Sequence, residues 1–142
     1  MPIVQGQTTL FKANILSGLE NFTLSSPYTY KIALYNANAN LNNTTTGYTS
    51  TNEVTGRGYT AGGQALTISN PPTQDTTNNI AFISFNNATW TGSITARGAL
   101  VYNSTTGAAC FILNFGNDIT SSNTFTVTFP TATSTSAVLT IS

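Results

Sequence analysis

The chain has 142 residues, enough for one domain with a real core, and a formal net charge of zero. Only 6% of its residues are charged, against about 25% in an ordinary soluble domain, so a phosphate-rich partner is not expected. With no histidine and a single cysteine, Cys110, neither a zinc set nor an internal disulfide can be assembled.

The polar surface must be built from neutral side chains, chiefly the 28 Thr and 17 Asn. Such surfaces do not repel one another by charge, which favours life in an assembly over a free monomer. The alternative is a secreted, glycosylated domain. No run of about 18 apolar residues reads as a membrane span. The opening "MPIVQGQTTLF" lacks the charged region and apolar run of a signal peptide. The expected address is the cytoplasm of the producing cell, or a particle assembled there.

Residues 1–10 read either as an extended arm across a neighbour, with Pro2, Ile3 and Val4 as candidate interface residues and Gly6 permitting an open path, or as a frayed terminus. Residues 8–22 then space Leu10, Phe11, Ile15, Leu16 and Leu19 as a short amphipathic helix. Thr8 or Thr9 would be its N-cap and Gly18 its terminator. Alternation in "YTYKIALY" (28–35) predicts a strand with Tyr28, Tyr30, Ile32 and Leu34 on one face. Residues 36–54 carry few large apolar side chains and read as a surface excursion, with Leu41 and Tyr48 as its anchors.

Further strands are predicted at 64–69, 79–85, 92–103, 108–115, 124–130 and 137–142. Gly98 marks a bulge or bend in the long 92–103 strand. Asn103 to Gly107 supply the turn of a hairpin, and residues 115–125 read as a polar loop. Cys110 lies in the apolar run "AACFILNF" and reads as a buried thiol; Trp90 reads as a core residue. The sum is a single all-β domain over 1–142, an antiparallel β-sandwich or flattened barrel of about seven or eight strands with one short N-terminal helix.

Candidate chemistry is sparse. No histidine can serve a Ser or Thr nucleophile, which leaves only a Ser–Lys pairing with Lys12 or Lys31. Glycoside hydrolysis needs two carboxylates, and nothing pairs Glu53 with Asp75 or Asp118. "GNDIT" (116–120) is only a fragment of a calcium loop. The segment "NEVTGRGYTAGGQAL" (52–66) presents Gly56, Gly58, Gly62 and Gly63. Their spacing departs from the dinucleotide fingerprint, a strand follows where a helix should, and the Lys of a phosphate loop is absent. These four glycines read as structural turns; Tyr59 can pack onto the sheet, Arg57 can reach a neighbour or Glu53, and both are candidate interface residues. No enzyme activity, cofactor or metal is expected.

Three stretches taken together, "YKIALYNANANL", "TTTGYTSTNEVTGRGYTAGGQAL" and "WTGSITARGALVYN", resemble in order and spacing a family of small virion proteins of tailed bacteriophages. The resemblance covers roughly residues 8–115. It implies a structural virion protein such as a capsid decoration (cement) protein. It also implies a place on the capsid surface, with the major capsid protein and copies of itself as partners. The alternatives are a tail, head–tail joint or fibre component binding host carbohydrate through Tyr48 and Tyr59, and a wall-degrading enzyme acting through Glu53.

Overall fold

A computed structural model describes residues 2–130, 133 and 136–141. Met1 of the expected arm and Ser142 of the expected last strand lie outside the described residues. The fold is all-β, antiparallel and sandwich-like, with one short helix. Ten strands are described rather than seven or eight.

The helix α1 (Thr9–Leu16) starts where its N-cap dictates. The Thr8 hydroxyl accepts from Phe11 N at 3.0 Å and donates to Ala109 O at 3.1 Å, so one side chain caps the helix and ties it to the sheet. Gly18, at φ +73°, ends it: Gly18 N reaches Ile15 O and Leu19 N reaches Asn14 O, the paired bonds of a Schellman ending. Phe11 alone is buried on α1 and Leu16 is exposed, so the expected apolar stripe is one residue deep.

The main sheet contains β1 (Gly6–Gln7), β2 (Tyr30–Tyr35), β3 (Gln64–Ala65), β7 (Thr95–Asn103) and β8 (Ala109–Thr120), in the order β1-β8-β7-β2-β3. A second sheet joins β4 (Ile68–Asp75), β5 (Ile80–Phe85) and β10 (Leu139–Ile141) in the order β10-β5-β4. A two-stranded sheet pairs β6 (Ala88–Thr91) with β9 (Thr124–Val127). It continues the β7–β8 hairpin round a corner: Ser121 Oγ donates to Gly92 O at 2.8 Å and accepts from Ile94 N at 3.1 Å. The hairpin turn forms where expected, with Asn103 Oδ1 accepting from Thr105 N and Thr106 N.

The alternation of β2 has the expected consequence on one face. Tyr30, Ile32 and Leu34 join Phe11, Phe22, Phe85, Trp90, Phe111 and Phe125 in a core between the main sheet and the smaller sheets. The opposite face is covered too. Ala33, Tyr35, Leu100 and Tyr102 pack under Ile3, Ala39 and Leu41 in a second core. The 36–54 excursion therefore seals the sheet, because small Ala39 and a single Leu41 suffice to fill a shallow layer.

Several strands differ from the sequence reading: β1 and β6 are additional to it, and β7 begins at Thr95 rather than Gly92. The run 64–69 is two strands: Leu66 N still reaches Tyr30 O, but by Ile68 the chain has passed into the second sheet. Residues 68–75 form β4 despite Pro71 and Pro72, because β4 is an edge strand with two register shifts and needs no donor there. Residues 115–120 continue β8 instead of looping, with Gly116 at φ +84° absorbing the irregularity between the Gly98–Asn114 and Ala96–Ile119 pairs.

Candidate functional site

The glycine segment lies along the part of β2 that β3 leaves open. β3 pairs only with Lys31 and Ile32. Beyond it, Val54 N donates to Leu34 O at 2.9 Å, and Leu34 N donates to the Tyr59 hydroxyl at 2.9 Å. The segment thus replaces a strand by a loop that must hold its own shape.

Glu53 holds it. The side chain is 5% exposed. Oε1 accepts from the Tyr48 hydroxyl at 2.6 Å; Oε2 accepts from the Tyr59 hydroxyl at 2.5 Å and from Gly62 N at 2.7 Å. Tyr102 donates to Gly62 O at 2.7 Å and stacks on Tyr48 with ring centroids 5.0 Å apart. Burial pushes the Tyr48 hydroxyl up to about 12, and its bond to Glu53 adds to the rise. The Tyr59, Tyr35 and Tyr102 hydroxyls are raised in the same way, by burial first and then by the neighbouring carboxylate.

The glycines stand at positive φ: +69° at Gly56, +90° at Gly58, +93° at Gly62 and +76° at Gly63. Two also mark close approaches. A Cβ on Gly63 would lie 1.7 Å from Ile32 O, and one on Gly58 would lie 2.0 Å from Thr91 O. At Gly58 and Gly63 the backbone is packed directly against backbone, as structural turns require.

A second carboxylate, Glu20, has a comparable setting that the sequence reading does not single out. Its Oε1 accepts from the Tyr30 hydroxyl at 2.9 Å and from Asn103 Nδ2 at 3.0 Å. Cys110, the extra residue between the Val101–Phe111 and Tyr102–Ala109 pairs, points its Sγ to 4.0 Å from Glu20 Oε2. Burial raises the Cys110 thiol and Glu20 adds to it, so the thiolate that reacts is suppressed. The signal for Glu20 was its rarity: one of four acids, set between Leu19 and Phe22.

The remaining acids are elsewhere. Asp118 accepts from Arg97 Nε at 2.9 Å, and Asp75 Oδ1 accepts from Thr77 N and Asn78 N. Among the described residues no three of His, Cys, Asp and Glu gather where one metal ion could sit. Chemically, the Glu53 and Glu20 arrangements order the chain: their oxygens are taken up by the protein's own donors.

Of the candidate interface residues, Ile3 and Tyr59 are buried, while Pro2, Val4 and Arg57 are exposed. Tyr59 is therefore withdrawn from any loop-tip carbohydrate platform, and Tyr48 is half-buried against Tyr102. The exposed aliphatic surface lies elsewhere. Leu16, Leu19 and Leu24 are 89%, 51% and 73% exposed around the end of α1. Nearby, Ile15, Phe22, Ile83, Leu139 and Ile141 line an apolar cleft of about 230 Å³. The chain matches no family model, no curated protein and no solved structure.

Proposed function

We propose that this chain is a non-enzymatic structural protein of a tailed bacteriophage virion, a capsid decoration protein that stabilises the head through contacts with the major capsid protein and with copies of itself. The observation that carries the reading is a nearly uncharged surface that still exposes Leu16, Leu19 and Leu24. Such a surface attaches by shape, apolar burial and hydrogen bonds rather than by charge. The resemblance of the 30–41, 44–66 and 90–103 stretches to small virion proteins supports the kind of particle. The engagement of Glu53 and Glu20 by tyrosine hydroxyls supports a structural use of both carboxylates.

The test is particle composition. Quantitative mass spectrometry of purified virions is expected to give hundreds of copies per particle, with density over the head in electron micrographs. Binding of the purified protein to heads lacking it is expected to survive about 1 M salt, where a charge-driven contact would be screened. A handful of copies on the tail or at one vertex would replace the capsid address by a tail or joint address. Absence from particles would overturn the proposal.

A further inference from the structure

Among the described residues, the β6–β9 pair leaves one side of β9 bare. Gly92 N donates to Asn123 O at 2.7 Å, which fixes the alternation that follows. Trp90–Phe125 and Ala88–Val127 are the hydrogen-bonded pairs; Thr91–Thr124 and Thr89–Thr126 are not. The main-chain groups of Thr89 accordingly turn away from β9, and its carbonyl is taken by Gln64 Nε2 at 2.6 Å. Those of Thr124 and Thr126 turn away from β6. No donor or acceptor meets them among the described residues, and both threonines are exposed.

Every other edge is blunted. β4 carries Pro71, Pro72 and two register shifts. The outer side of β8 is covered by β1, then by Gln5 Oε1 accepting from Asn114 N at 3.0 Å, and further on it carries Asp118. β3 and β10 are two and three residues long. The β9 edge has none of these guards, and no charged residue occurs from 119 to 142.

We propose that β9 pairs edge to edge with β9 of a second copy of this chain, joining two β6–β9 pairs into one four-stranded antiparallel sheet about a two-fold axis. The segment is self-complementary. An axis at Thr126 sets Thr126 against its own copy, each N–H donating to the other's C=O, and sets Thr124 against Thr128 of the second copy. Threonine hydroxyls already pair in this way across strands inside the chain, at 2.9 Å for Thr95–Thr120 and 3.3 Å for Thr89–Thr126. No like charges meet. The inference rests on the reading that the chain assembles with copies of itself, and not on the virion address.

Sedimentation velocity on the purified full chain tests it. Wild type is expected to dimerise with a midpoint between about 1 µM and 1 mM. Thr126→Pro removes an outward N–H that meets no acceptor among the described residues, so it spares the β6–β9 ladder and is expected to weaken the dimer at least tenfold. Thr126→Lys sets two like charges across the axis and is expected to do the same, whereas Thr91→Lys, on the same face of β6, is expected to leave the dimer intact. Circular dichroism checks that each variant is folded; if the proline variant is not, the lysine variant decides. A wild type that stays monomeric through this range overturns the proposal, and so does a folded Thr126→Lys that associates like wild type. Particle composition decides the address and sedimentation decides the edge, so either can fail alone.

Discussion

Glu53 and Glu20 are both acids inside a charge-poor fold, and both are met by tyrosine hydroxyls, but they do different mechanical work. The donors to Glu53 come from three points of one loop: Tyr48, Tyr59 and Gly62. It organises a stretch that has almost no ladder of its own. The donors to Glu20 come from β2 and from the end of β7, through Tyr30 and Asn103. It fastens the connection after α1 to a sheet that is already ordered. Neither is compensated by a cation; the one ion pair among the described residues is Arg97–Asp118, at the surface. The compensation comes from neutral donors, and no buried side-chain polar atom among the described residues lacks a partner. A fold can hold acids inside with very few bases, provided that hydroxyls and amides converge on them.

The difference can be broken at several strengths. The largest effect is expected within the Glu53 loop at Gly63→Ala, where the new Cβ would strike Ile32 O at 1.7 Å and φ is already +76°. Urea unfolding should show a loss above about 4 kcal/mol, the range of forced backbone clashes. Gly56→Ala, in the same loop with nothing within 4 Å of the added Cβ, is expected to lose only about 1 kcal/mol for its φ of +69°.

Next come the acids themselves. Glu53→Ala strands three donors in a buried place and is expected to cost about 3 kcal/mol. Glu20→Ala, at a half-buried site that water can enter, is expected to cost about 1 kcal/mol. Equal losses in urea titrations would erase the distinction between organiser and fastener.

A further effect is one of pH. An unfolded tyrosine ionises near 10. Folded Tyr48 holds its proton up to about 12. Between those values the unfolded state binds fewer protons, so stability is intact below about pH 10 and falls as pH rises toward 12. Glu53→Gln removes the charge that helps to raise Tyr48 and is expected to flatten that fall. The check is urea midpoints taken from pH 8 upward (an order-of-magnitude starting point two units below the tyrosine value), with tyrosinate absorbance as the readout.

Much of the fold was legible because it depends on local alternation. The strands at 28–35 and 124–130 and the hairpin turn after Asn103 carry their period and their turn residues in plain view. The Thr8 cap and Gly18 stop do so as well. What could not be read depends on tertiary position. Pro71-Pro72 argues against a strand unless the strand is known to be an edge. Residues 36–54 look too polar to cover a core until the opposing face is seen to need only Ala39 and Leu41. Residues 64–69 alternate like one strand, and nothing local records that the chain leaves one sheet for another at Leu66–Thr67. Glu53 was visible as an acid in a glycine-rich stretch, but its donors were not. Tyr48 is five residues away and Tyr59 six, and only the fold turns both inward.

The corner at Gly92 and Ser121 has a kinetic consequence. Because β6–β9 continues β7–β8, one ribbon with arms 88–103 and 109–127 spans both walls of the sandwich. Once the turn after Asn103 closes, each pair brings the next within reach, and a hairpin of this kind forms in about 1–10 µs. The β4–β5 hairpin, closed at Asp75 and Ile80, is equally local, whereas pairing Tyr30 with Asn103, or Gly6 with Ile112, must close far longer loops. The ribbon and the β4–β5 hairpin are therefore the cheapest parts of the molecule to form first. A ribbon formed early gives the N-terminal half a template that already turns the corner.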